Sequence, residues 1–161
     1  MTNEIIKNQI AEISKETFTE KFFTTHGRIS RMTFLKREVM LILMAFALVF
    51  LVEICFIAYT LFGATLPEWT AVITPLIMIV IWISDYCLNV KRLHDFGKDA
   101  TLAKIFLAFG IMANVYYIAF PLAADLLTPF TIFDSVVNLG FLAYLLYMRG
   151  DEGANEYGET K

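Results

Sequence analysis

Few side chains in this sequence have the types and spacing to do chemistry. His94 and Asp95 are adjacent, and a histidine beside a carboxylate can serve as a general base. Neighbours on a helix point apart, however, and no nucleophile, phosphate-binding loop or metal-ligand spacing accompanies the pair. His26 would join His94 at a metal only if folding brought two distant segments together. Cys55 and Cys87 sit in separate apolar runs, at depths that place them about 18 Å apart along the membrane normal. A disulfide needs Cα atoms within about 7 Å, so both read as core thiols. No catalytic, cofactor-binding or metal-ligating residue is assigned on this basis, and the chain reads as a non-enzyme.

Two other groups of polar residues stand out. The first is basic and lies between the apolar runs: Arg28, Arg31, Lys91 and Arg92, with His94 and Asp95 beside them. Asn155 and Tyr157 in the last segment could fold back over the same place, since Asn and its neighbouring glycines suit turns. Asp95 is placed to clamp one of the arginines of the earlier segment. The second group lies inside the apolar runs, where polar side chains are costly and turn toward a bundle interior or a cavity. Glu53, Asn114 and Asn138 fall within a few Å of one plane, as judged from ~1.5 Å of rise per residue. They could form one hydrogen-bonded network. Asp85, Asn89 and Arg92 follow at i, i+4, i+7 and share a face, which predicts that Arg92 reaches back to Asp85.

The elements that must position these residues are helices crossing a membrane. Hydrophobic residues make up 58% of the 161 positions and charged residues only 18%. An average soluble domain lies near 45–50% and 25%. The charges collect between four apolar runs at 39–63, 69–89, 102–124 and 130–148, and about 20 residues suffice to cross ~30 Å of hydrocarbon. Residues 1–22 are polar, with Ile6, Ile10, Ile13 and Thr17 on one stripe of an amphipathic helix, and they contain no apolar stretch of the kind a cleavable signal needs. Lys21, Arg28, Arg31, Lys36 and Arg37 precede the first run; Lys91, Arg92 and Lys98 separate the second from the third; Arg149 follows the fourth. The other two turns hold no Lys or Arg. By the positive-inside rule the N-terminus, middle loop and C-terminus face the cytoplasm.

The expected architecture is therefore an all-α integral membrane protein. It comprises a four-transmembrane-helix bundle at 39–148, a short amphipathic N-terminal cytoplasmic helix within 1–38, and a cytoplasmic tail at 149–161. The net charge of −3 argues against a nucleic-acid partner.

Three segments carry a resemblance. Phe22-Phe23-Thr24-Thr25-His26-Gly27-Arg28-Ile29-Ser30-Arg31, then Lys91-Arg92-Leu93-His94-Asp95-Phe96-Gly97-Lys98, then Gly153-Ala154-Asn155-Glu156-Tyr157-Gly158 resemble, in order, the GRxSR, RRLHD-G and G-x-N-x-[YF]-G motifs of the DUF805 family. The resemblance implies a small bacterial inner-membrane protein and no activity. Leu35 stands near where family members usually carry Trp, and Asp99-Ala100 replaces a usual Gly-Trp, so the chain looks like a divergent member.

Three functional readings follow. The first is a scaffold or interaction protein acting through the cytoplasmic motif face, with a protein, anionic lipid headgroups or a second copy as partner. The second is an oligomeric channel, transporter or membrane-disturbing effector built on Glu53, Asn114 and Asn138. A lipid-headgroup enzyme is a distant third. No cofactor is implied.

Overall fold

The structure, a computed structural model, describes residues 16–63, 73–119 and 129–158. Among these residues every regular element is a helix: α1 (Phe18–Phe22), α2 (Arg31–Leu61), α3 (Ile73–Asp95), α4 (Thr101–Ala119) and α5 (Pro129–Tyr147). The stripe Ile6, Ile10 and Ile13 lies outside the described residues. Thr17, the last member proposed for that stripe, instead caps α1. Glu20 N donates to Thr17 Oγ1 at 3.2 Å and Thr17 N to Glu20 Oε2 at 2.8 Å, a reciprocal capping box.

Three helices, α2, α3 and α5, are long and apolar enough to cross a membrane. The apolar helix α4 has a shorter described stretch, Thr101–Tyr116. Two helices extend past the boundaries expected from hydropathy. Helix α2 begins at Arg31, because Ser30 supplies its cap, with Thr33 N donating to Ser30 Oγ at 3.3 Å. Helix α3 runs through Lys91, Arg92 and His94 to Asp95, so half of the expected loop at 90–101 is helix. Gly97 stops it. With φ +67° it occupies the left-handed region that glycine tolerates, and Lys98 N reaches Leu93 O at 3.0 Å. Pro129 opens α5, at the position where a missing N–H costs nothing.

The packed core is at one end of the bundle. Phe22, Ile29 and Phe34 meet Leu88, Val90, Leu93 and Phe96 of the α3 end, and Phe141 and Leu145 of α5 close the cluster. Away from that end the helices expose their apolar side chains, Phe46, Phe50, Ile57, Val136 and Leu139 among them. Such exposure is ruinous in water and ordinary in lipid, where no hydrophobic force drives helices together. What fixes this bundle is its motif end, where all three motif segments meet.

Candidate functional site

The motif end is organised around a buried carboxylate between two buried guanidiniums. Asp95 is the last residue of α3, and its side chain is 3% exposed. Arg92 lies one turn earlier and its Nη1 pairs with Asp95 Oδ2. Arg28 enters from the segment before α2 and places Nη2 3.3 Å from Asp95 Oδ1. Both arginine side chains are 0% exposed.

Backbone carbonyls take most of the remaining guanidinium protons, although the buried Arg28 Nε finds no hydrogen-bond partner among the described residues. Arg28 Nη1 donates to Gly153 O at 2.6 Å and Gly158 O at 3.0 Å, while its Nη2 donates to Asp151 O at 2.8 Å and Asp95 O at 3.2 Å. Arg92 donates through Nε to Leu145 O at 2.8 Å and through Nη2 to Met148 O, which are unsatisfied carbonyls at the end of α5. Arg92 also lies over the Phe96 ring at 5.3 Å. The planar fork of arginine suits this task, since it points several fixed donors at acceptors that a lysine could not reach together.

Each motif residue has a local reason to be there. Gly27, at φ +86°, turns the chain so that Arg28 enters the core, Ile29 packs beside it and Ser30 caps α2. Ile29 N reaches Lys91 O at 3.4 Å. Lys91 is itself buried and donates to Glu20 O and, at 3.2 Å, to Lys21 O, so a cation meets the carbonyl end of α1. His94 places Nδ1 3.3 Å from Gly27 O, the tautomer in which that nitrogen is the donor, and its ring stacks on Tyr157 at 3.8 Å and 4°. Asn155 donates to His94 O at 2.9 Å and to Asp151 Oδ2 at 2.8 Å, while its own Oδ1 accepts from Tyr157 N at 2.9 Å. Gly150 permits the closest approach of all. A Cβ added there would stand 2.2 Å from Asp95 Oδ2. Just beyond α3, the Thr101 hydroxyl and amide hold the exposed Asp99 carboxyl below its usual range.

All eight residues singled out at this face are thus brought to one end, but in two roles. Arg28, Lys91, Arg92 and Asp95 are buried and committed to internal partners. Arg31 remains exposed. Sequence reasoning missed Gly150 and Asp151, whose carbonyls, amide and lack of a side chain matter more than their type; only the run of glycines around them hinted at it.

Inside the bundle, among the described residues, no hydrogen bond links Glu53, Asn114 and Asn138 to one another. Glu53 is exposed on α2. Asn114 bonds back along its own helix to Gly110 O at 2.9 Å, and Asn138 does the same to Asp134 O at 2.8 Å. Arg92 does not reach Asp85 either, because the stronger geometry with Asp95 claims it. Asp85 accepts from Asn89 Nδ2 at 2.9 Å and lies against the Glu38 carboxyl of α2. Glu38, Asp85, Asn89, Asp134 and Asn138 line a cavity of about 560 Å³ between α2, α3 and α5. Glu38 had no signal in the sequence, since it sits among charged residues before the apolar run. Cys87 is buried and Cys55 exposed.

Apolar helices fastened at one end by an arginine–aspartate–arginine cluster define a small helical membrane protein whose termini-proximal segments form one folded unit. The family model described as a protein of unknown function (DUF805) matches residues 22–159, and the chain belongs to that family. No curated protein and no solved structure matches it.

Proposed function

We propose that this protein is a membrane-anchored interaction platform, with four spans in a bacterial inner membrane and its motif end in the cytoplasm. The observation that carries the reading is Arg28. One guanidinium holds carbonyls of Asp95, Asp151, Gly153 and Gly158, and so welds the pre-span segment, the α3 end and the tail into one surface. Such welding serves a surface that must keep its shape for a partner. The motif residues build the platform, and the contacts fall to its exposed rim. Arg31, Lys36, Lys98 and Arg149 are exposed there, with Phe23, Met32 and Tyr147 among them. Cations beside apolar side chains suit anionic headgroups, at about 1 kcal/mol per basic residue near the surface, or an acidic protein partner. The Lys and Arg asymmetry of the loops supports the orientation.

The test is native mass determination of the protein extracted from its own membranes into nanodiscs, with bound lipids and proteins identified. The platform reading expects anionic lipid or a defined soluble protein to travel with the wild type and to be lost from the double variant Arg31→Glu, Lys98→Glu. Identical companions for both proteins would count against it.

One observation favours a second reading, transport. The cavity lined by Glu38, Asp85, Asn89 and Asn138 replaces the Glu53 network as the place where an ion or proton would pass. On that reading Asp85→Asn abolishes flux into liposomes, while Glu53→Gln leaves it intact.

A further inference from the structure

Helix α2 has two long faces. Phe34, Leu41, Ala45, Val52 and Phe56 lie on the side that turns toward α3 and the core, buried or half-buried. Most other positions of α2 are exposed, and those that share a side with the exposed Glu53 give the series Val39, Leu43, Phe46, Phe50, Glu53, Ile57 and Thr60, at intervals of four, three, four, three, four and three residues. That is the heptad spacing of a left-handed helix pair, sustained for three repeats, and every one of the seven is exposed. Phe46 and Phe50 already stack on each other at 5.8 Å along it.

Most of this stripe would be content in lipid. Glu53 would not. It lies about two residues beyond the middle of the apolar run 39–63, and an ionisable side chain at that depth is costly when it faces hydrocarbon. Among the described residues no hydrogen-bond partner turns toward it. The depth of Glu53 selects the occupant. A second copy inserted in the same orientation carries its own Glu53 at the same height, and two carboxyls sharing a proton bond each other across a two-fold axis parallel to the membrane normal. An unrelated helix would need its own polar group at that level, and a lipid tail offers none.

We propose that the Val39–Thr60 stripe of α2 is the seam of a parallel homodimer, closed by Glu53 of one copy against Glu53 of the other. In heptad terms Val39, Phe46, Glu53 and Thr60 take one seam position and Leu43, Phe50 and Ile57 the alternate one. The seam leaves the motif end free, so the dimer presents two platforms side by side. It stands apart from the platform reading, because it rests on a different helix face.

The native sequence contains its own control. Cys55 is exposed but lies two residues from Glu53, about 200° around the helix and away from the seam. Oxidative cross-linking in native membranes tests the geometry. In a chain lacking both native cysteines, Phe50→Cys and Ile57→Cys should form disulfide-linked dimers, since a seam brings paired Cα atoms within about 7 Å. Wild-type Cys55, and Leu48→Cys on the same side as Cys55, should not. Equal cross-linking at Cys55 and at the seam, or none at the seam, overturns the proposal. The carboxyl is tested by self-association in detergent. Glu53→Gln preserves a hydrogen-bonding pair and should keep the dimer, whereas Glu53→Leu should weaken it about 5–30-fold. Equal affinity for wild type and Glu53→Leu overturns the role of Glu53. A different protein cross-linked at residues 50 and 57 in place of a second copy overturns the homodimer proposal itself.

Discussion

Replacing Asp95 by asparagine should unfasten the motif end. The side chain changes by one atom and keeps an acceptor, so packing is almost unaltered. What is lost is the negative charge between two guanidiniums that are 0% exposed. One amide nitrogen would also have to point its protons at an arginine. Breaking a buried ion pair by removing one partner costs about 3–5 kcal/mol, because the remaining charge has nowhere to go. Two charges are stranded here, and neither arginine can leave, since Arg28 also serves four carbonyls and Arg92 two. A loss of that size lowers the folded-to-unfolded ratio roughly 150–5,000-fold. The assay is reversible unfolding in mixed micelles, followed by release of the tail to protease. The exposed Glu152→Gln provides the baseline, where a surface change should stay within about 0.5 kcal/mol. If Asp95→Asn falls within that same margin and the tail stays protected, the argument that this cluster holds the platform is wrong.

Four further outcomes are expected. Gly150→Ala should destabilise by about 1–3 kcal/mol in the same unfolding assay, because its Cβ collides with Asp95, while Gly110→Ala, which meets open space, should not. Arg28→Lys keeps the charge but loses the fork, and a loss of at least about 2 kcal/mol should appear despite the conservative exchange, measured by the same titration. Ser30→Ala should cost about 1 kcal/mol through the α2 cap, and Ser30→Asp should restore it. Tyr157→Ala should speed proteolysis of the tail by removing the ring stacked on His94, whereas Tyr157→Phe should not, since Tyr157 acts there through its ring face.

The apolar runs were legible because the demand behind them is one-dimensional. A helix that crosses lipid needs an unbroken run of about 20 apolar residues wherever its neighbours lie, so the runs at 39–63, 69–89 and 130–148 foretold α2, α3 and α5. The motif residues were legible as a group, because Arg28, Arg92, His94, Asp95 and Asn155 are expensive side chains held between apolar runs. Their gathering at one end followed from the order of the spans.

Their pairing did not follow. Arg92 is i+7 from Asp85 and i−3 from Asp95, and the linear pattern permits both partners. Tertiary structure decided for Asp95, because Arg28 arrives on its other side and α5 ends above Arg92 with free carbonyls. Depth along a sequence fixes height in a membrane, yet says little about direction around the helix axis. That is why Glu53, Asn114 and Asn138, expected near one plane from their places in the runs, are linked by no hydrogen bond among the described residues, while Glu38 and Asp85, which no motif links, lie against each other. The sequence determined that this chain is a bundle of apolar helices with its polar business at one end. Which polar groups touch was decided only when α2, α3 and α5 packed, since rotation about each helix is set by the neighbours it meets.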